Sequence, residues 1–347
     1  MNPIIPFILL SSLSLGTTIT FMSSHWMLAW FGLEINTMAI IPLMAHNHHP
    51  RPVEATTKYF MAQATAAAII LFGSMFNAWT TGQWSIDHMS NPTAINIATM
   101  GLAMKIGIAP LHIWLPEVLQ GLDLTTGLIL STWQKLAPFA LLTQLPPSNQ
   151  ELFMVMGLLS TLIGGWGGLN QTQLRKILAY SSIAHLGWIF MIMQFSTSLA
   201  FLTLLTYFVM TFSAFMLFKL NKSTNINSLA LSWTKAPALT AMTPLIILSL
   251  GGLPPFTGFG PKWMILTTLT SFNLNALATL AAMSTLLSLY FYLRLTYSMS
   301  LTMPPNNTSG IAPWRLHNLQ STMPLALTST LTIILLPMLP TIMAMFN

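Results

Sequence analysis

The sequence predicts an all-α, polytopic membrane protein of about eleven transmembrane helices, arranged as two inverted five-helix repeats that each contain a discontinuous helix. Three observations lead there. Of the 347 residues, 54% are hydrophobic and only 5% charged, whereas a soluble domain carries about 25% charged residues. Apolar runs follow one another at the length, about 20 residues, that a helix needs to cross a hydrocarbon core. Two of those runs are interrupted by Gly and Pro at corresponding places.

The spans fall at roughly 3–22, 25–45, 56–80, 96–121, 124–143, 150–171, 174–194, 197–220, 238–272, 274–299 and 322–345. No ten-residue alternating pattern of a membrane barrel is present, and no stretch reads as a separate soluble domain. The chain is therefore one membrane domain over 1–347, with repeat one at about 1–145, repeat two at about 146–300 and an extra C-terminal helix at about 320–347. Residues 1–20 lack the basic start of a signal peptide and the Arg-rich pattern of a transit peptide, and are expected to form a retained first span.

The fourth and ninth runs are too long and too rich in Gly and Pro for simple helices. One reads Gly107-Ile108-Ala109-Pro110, then Pro116; the other reads Gly251-Gly252-Leu253-Pro254-Pro255, then Gly258, Gly260 and Pro261. Proline removes a helix hydrogen bond and crowds the preceding turn, and unwound backbone is tolerated at membrane depth only where protein or a wet cavity satisfies it. Each break is fourth in a group of five spans, and both contain Gly-x-(Ala/Pro)-Pro. An odd number of spans per unit inverts the second unit relative to the first, an architecture that transporters use to place broken helices near the midplane.

Cysteine is absent, which excludes a disulfide, a thiolate-held iron–sulfur cluster and a cysteine zinc site. The net charge of +6 comes from scattered single residues and forms no nucleic-acid stripe. Its use is topological. With the N-terminus on one side, the loops of that side carry Arg51, Lys58, Arg175, Lys176, Lys219, Lys222, Lys235 and Arg315, with Arg294 near an end there. The opposite loops carry no Lys or Arg, so the N-terminal side is expected to be cytoplasmic or matrix and the C-terminus to lie across the membrane.

Lys105, Lys135 and Lys262 fall inside spans four, five and nine, and Glu34 inside span two. A charge at the bilayer centre costs about 2.5–3.5 kcal/mol or more, and such residues usually face a bundle interior and mark an ion path. The competing readings are a lone salt bridge between helices and a lysine snorkelling to the interface. Lysine has an ordinary pKa near 10.4; beside a carboxylate that can be moved or screened, a buried lysine can alternate between holding and releasing a proton. Glu34 is expected to face Lys105, with Lys135 and Lys262 continuing the line. Histidine suits proton shuttling, and His112 follows the first break while His185 sits mid-span after Ser181-Ser182. Each also fits a histidine hydrogen-bonded across helices. His46, His48 and His49 read as a solvated loop rather than a metal site. The run Gly164-Gly165-Trp166-Gly167-Gly168 reads as close helix packing, and the sequons at Asn170, Asn221 and Asn306 are discounted because they lie on the positive side.

The segments Pro-Leu-His-Ile-Trp-Leu-Pro-Glu (110–117) after Lys105, Leu-Arg-Lys-Ile-Leu-Ala-Tyr-Ser-Ser-Ile-Ala-His-Leu-Gly (174–187) and Gly-Leu-Pro-Pro-Phe-Thr-Gly-Phe-Gly-Pro-Lys-Trp (252–263) resemble the antiporter-like subunits of respiratory complex I. Lys-Tyr-Phe-Met-Ala-Gln-Ala-Thr (58–65), Lys135 and the short length resemble the animal mitochondrial branch of that family. The resemblance implies a core membrane-arm subunit, encoded in the organelle and placed in the mitochondrial inner membrane, with its N-terminus on the matrix side and its C-terminus on the intermembrane-space side. It implies that Glu34, Lys105, Lys135 and Lys262 match the family's proton path, with His112 and His185 as hydrated neighbours. It places NADH, FMN, the iron–sulfur clusters and ubiquinone on other subunits, so no cofactor or metal is expected in this chain. The implied partners are other membrane-arm subunits, further antiporter-like ones included, accessory subunits and lipid, with cardiolipin a candidate; no nucleic acid is expected. Bacterial relatives carry about three more N-terminal helices, so lipid or another subunit is expected to cover the first spans. Two rival functions share these features: a free-standing cation/proton antiporter subunit, and a structural scaffold whose buried charges only lock helices together.

Overall fold

In the computed structural model, residues 4–46, 49–146, 150–234, 237–301 and 322–346 are described, and their regular structure is helical throughout. The helices are α1 (Ile4–Met22), α2 (Trp26–Met44), α3 (Pro50–Thr81), α4 (Pro92–Ile106), α5 (Trp114–Gly121), α6 (Leu124–Ser131), α7 (Leu136–Gln144), α8 (Gln150–Gly168), α9 (Leu174–Ile192), α10 (Thr197–Leu220), α11 (Ile226–Ala230), α12 (Pro237–Gly251), α13 (Phe259–Ser271), α14 (Asn275–Ser300), α15 (Met323–Ile334) and α16 (Leu339–Phe346). Six of them are long and apolar enough to cross a membrane unaided, namely α1, α2, α3, α8, α10 and α14. Lys235, Arg315, His48 and Asn306 lie outside the described residues.

The expected breaks in spans four and nine are present, separating α4 from α5 and α12 from α13. The four-residue motif takes the same form in both. Gly107 (φ 86°) and Gly252 (φ 79°) adopt left-handed backbone, and the Ala109–Pro110 and Pro254–Pro255 peptides are cis. A left-handed residue ends a helix, and glycine accepts that conformation without a Cβ penalty. At the other end of α4, Asn91 caps the Thr93 N–H at 3.1 Å and Pro92 occupies the first helical position, where its missing N–H costs nothing.

Two further interruptions were not foreseen. Span five divides into α6 and α7 around a 3₁₀ turn, Trp133–Lys135. Pro138 explains it: the helix restarts at Leu136, which puts the proline in a first turn that has no donor to lose. Span eleven bends by 69° between α15 and the segment from Leu336, where Pro337 and Pro340 act in the same way. The short α11 was also missed.

The chain divides by its internal contacts into two units, Met1–Val155 and Met156–Asn347. In the first, α1 packs on α2, α3 lies against α2, α4 and α5, and α7 contacts α4 and α1. In the second, α14 packs on α12, and α10 is surrounded by α9, α12, α13 and α15. Close approach there uses the glycine run of α8: a Cβ at Gly164 would stand 2.7 Å from the Ala184 amide nitrogen and 2.9 Å from the Tyr180 carbonyl oxygen of α9. Small residues let backbones approach in this way where lipid supplies no hydrophobic drive.

Charges at the helix ends follow the backbone dipoles. Arg294 of α14 donates from Nη1 to the Leu169 carbonyl at 2.8 Å, at the negative end of α8. Arg294→Met is expected to destabilise this end by about 1 kcal/mol, seen as a lower thermal midpoint of the solubilised protein; an unchanged midpoint would show that the cap contributes nothing. Lys58 joins α3 to α5 through Glu117 at 2.8 Å while also meeting Glu54 at 2.9 Å. All three side chains are substantially exposed, so this triad orients the half-helix more than it stabilises it.

Candidate functional site

The first site forms where α4 stops. A helix end leaves its last carbonyls without intrahelical partners, and here side chains from other places supply the donors. Trp114 Nε1 donates to Met104 O at 3.1 Å and Gln63 Nε2 to Lys105 O at 3.3 Å, while the Gly107 and Ile108 amides both reach Ala103 O. Lys105 lies in the last turn, where the helix dipole favours a cation, and its residue is only 6% exposed. Lys135 closes the 3₁₀ turn and is 2% exposed. Both line one cavity together with Asn36 and Thr37 of α2, Tyr59 and Gln63 of α3, and Gln134. The space open to a water's centre is about 10 Å³, room for roughly one water.

Glu34 is half-buried on α2, and its Oε2 accepts a hydrogen bond from Thr37 Oγ1 at 3.1 Å. Lys105 and Lys135 thus share a cavity, and Glu34, on α2, is not among the residues that line it. His112 stands apart from that cavity. It is half-buried in the break, with Nδ1 3.3 Å from the Pro110 carbonyl oxygen.

The second site repeats the logic in the other unit with different parts. Lys262 lies in the first turn of α13, yet its Nζ donates to Gly251 O, the end of α12, at 2.8 Å. The ammonium therefore caps the negative end of the preceding half-helix. Gly252 makes room for it, since a Cβ there would come 2.7 Å from Nζ. Lys262 shares a cavity of about 20 Å³, measured the same way, with His185, Tyr207, Thr203 and Thr206. The His185 and Tyr207 rings are 5.7 Å apart. Among the described residues, no three His, Asp or Glu side chains gather as metal ligands would.

The sequence reading missed Asn36, Tyr59, Gln63 and Gln134 at the first site and Tyr207 at the second. A signal existed for some of them. Asn36 lies two residues after Glu34, Gln134 precedes Lys135, and Gln63 is a mid-span polar residue that lipid would not tolerate on an outer face.

A helical membrane protein with a buried or half-buried lysine at each of two helix breaks, each facing a small polar cavity, belongs to the class of ion-translocating bundles. The family described as NADH:quinone oxidoreductase/Mrp antiporter, transmembrane, matches residues 23–288, and the NADH dehydrogenase subunit 2 C-terminus family matches residues 289–343. The NADH-ubiquinone oxidoreductase chain 2 of Tetraodon nigroviridis is 64% identical over 100% of both chains, and that of Gadus morhua 62% identical over 100% of both. A chain of respiratory complex I from Thermus thermophilus superposes with a TM-score of 0.87 at 26% identity, covering 99% of this chain and 80% of that one. The chain belongs to the NADH:quinone oxidoreductase/Mrp antiporter family, in its NADH-ubiquinone oxidoreductase chain 2 branch.

Proposed function

We propose that this chain is a core membrane-arm subunit of respiratory complex I that couples electron transfer from NADH to ubiquinone, carried out on other subunits, to proton movement along its own buried side chains. The observation that carries the relay is that Lys105 and Lys135 line one cavity, with Glu34 on α2, the helix that brings Asn36 and Thr37 to it. Two buried lysines on one small cavity cannot both stay charged without cost, so a proton held by one favours its loss from the other. Changing the charge near Glu34 alters the hold on Lys105, and Lys105 can then pass its proton to Lys135. Lys262 and His185 form a second proton-holding station in the other unit.

In this reading the redox steps belong to the partner subunits. With no cysteine this chain offers no thiolate for an iron–sulfur cluster, and flavin, clusters and the quinone site are assigned to partner subunits. Its place is the mitochondrial inner membrane, with the N-terminus facing the matrix and the C-terminus the intermembrane space, the orientation that the positive loops favour. Its partners are the neighbouring antiporter-like and accessory subunits, and lipid.

The test is immunocapture of the native complex through this chain, followed by reconstitution into sealed vesicles. The capture is expected to carry NADH-oxidising flavoprotein activity, and Lys262→Met to lower acidification per NADH oxidised by about tenfold or more. A captured chain without NADH oxidation would point to a free-standing antiporter subunit. Unaltered acidification with Lys262→Met would remove the second station from the path.

A further inference from the structure

We propose that Asn36 is a positioning residue for proton transfer between Lys105 and Lys135, an inference that rests on the relay reading above. Asn36 is 2% exposed. Its Oδ1 and Nδ2 are both buried without a hydrogen-bond partner, as is Lys105 Nζ. Buried polar groups are almost always paired, so an orphan of this kind points to a role. Asn36, Lys105 and Lys135 line the same cavity.

The carboxamide is confined by close packing, and the backbone that carries it is anchored. Gly16 of α1 lies against it, and a Cβ at that position would stand 2.9 Å from Asn36 Cγ. The Asn36 main-chain carbonyl, separate from the carboxamide, accepts a hydrogen bond from Gln134 Nε2 at 3.2 Å, which ties this turn of α2 to the residue preceding Lys135. The titratable groups that line the cavity with Asn36 are Tyr59 from α3, Lys105 from α4 and Lys135 from the 3₁₀ turn; Glu34 lies two residues earlier on its own helix, and Gly16 of α1 lies against Asn36.

A primary carboxamide carries both an acceptor and two donors, whereas an ammonium only donates and a neutral amine also accepts. Asn36 can therefore receive an N–H from a charged lysine through Oδ1 and offer Nδ2–H to a neutral one. It suits both states of each lysine and holds the charged one the more firmly. In the transfer, one N–H bond of the Lys105 ammonium breaks and its proton passes to a water. That water gives one of its own protons to the Lys135 amine, where a new N–H bond forms. No oxidant or second reactant is needed, and the cavity admits about one water.

The experiment uses assembled complex in sealed vesicles with Asn36→Leu, which keeps the side chain's shape and removes its hydrogen bonding, and Asn36→Asp, which keeps the shape and adds charge. Lys105→Met is run in parallel, and acidification per NADH oxidised is measured from acid to alkaline pH. Both Asn36 variants are expected to assemble and to lose about tenfold to a hundredfold in acidification. The pH profile should move upward for Asn36→Asp, whose carboxylate holds protons on the lysines, and downward for Asn36→Leu. Normal acidification and an unmoved profile in Asn36→Leu would overturn the inference. So would fewer assembled complexes that pump normally, which would make Asn36 a packing residue only. Normal acidification in Lys105→Met would overturn the relay reading, and this inference with it; loss in Lys105→Met but not in Asn36→Leu would overturn this inference alone.

Discussion

Replacing Lys105 with methionine is expected to leave the complex assembled while proton translocation per NADH oxidised falls by about a hundredfold. The two halves of this expectation have separate causes. Lys105 is buried at 6% exposure, and its Nζ has no hydrogen-bond partner. A buried charge in that position is a cost to the fold, and an apolar side chain of similar volume is usually tolerated there or even stabilising. Glu34 keeps its hydrogen bond from Thr37 when Lys105 goes, so the substitution strands no fully buried carboxylate. Function fares differently, since methionine cannot hold a proton and the cavity then contains Lys135 with no lysine to supply it. The measurement is NADH oxidation against acidification in sealed vesicles. A scaffold in which buried charges merely lock helices predicts the reverse, with poor assembly and intact coupling, and that outcome would remove Lys105 from the path.

Gly258→Ala should be the most damaging small substitution in the second unit. Gly258 is buried at the start of α13, and an added Cβ would collide with the Ser249 carbonyl oxygen of α12 while lying 3.0 Å from the Ser249 carbonyl carbon and 3.1 Å from Met210 Sδ. The obstacle is backbone, which cannot swing aside as a side-chain end can. Relief requires the two half-helices to separate, which disturbs the Lys262–Gly251 hydrogen bond and the cavity that Gly258 itself lines. The expected cost is about 3 kcal/mol or more, seen as reduced assembly and a lower thermal midpoint, with weaker pumping in what assembles. Gly82→Ala serves as the contrast. No atom lies within 4 Å of its added Cβ, and only the left-handed backbone (φ 71°) opposes it, so about 1–2 kcal/mol is expected. Equal effects at the two positions would mean that the half-helices are not pinned at Gly258.

Much of the architecture could be read from residues alone, and the reasons are local. Gly107 and Gly252 end helices because left-handed backbone suits them, and Pro110 and Pro255 prevent resumption; both properties belong to the residues wherever they stand. The same chemistry was available at Pro138, Pro337 and Pro340 but was passed over, since a proline inside an otherwise apolar run is compatible with either a kink or a new first turn. Whether a run bends there depends on what receives the freed carbonyl. In α15 the Thr332 carbonyl is taken by the Thr257 amide and hydroxyl from the second break, 3.4 and 2.7 Å away.

Composition and spacing thus suffice for the class and the positions of the two breaks, because each is a contrast between a residue and the hydrocarbon it would have to enter. The partners of the intramembrane charges were another matter. Gln63 reaches the Lys105 carbonyl from 42 residues away, and Gln134 reaches the Asn36 carbonyl from 98. A helix that is apolar on all sides has no face marked as inward, so its rotation about its own axis is set by the packing of its neighbours. That rotation decides whether Asn36 and Tyr59 look into the lysine cavity or into lipid, and it exists only once the helices have come together.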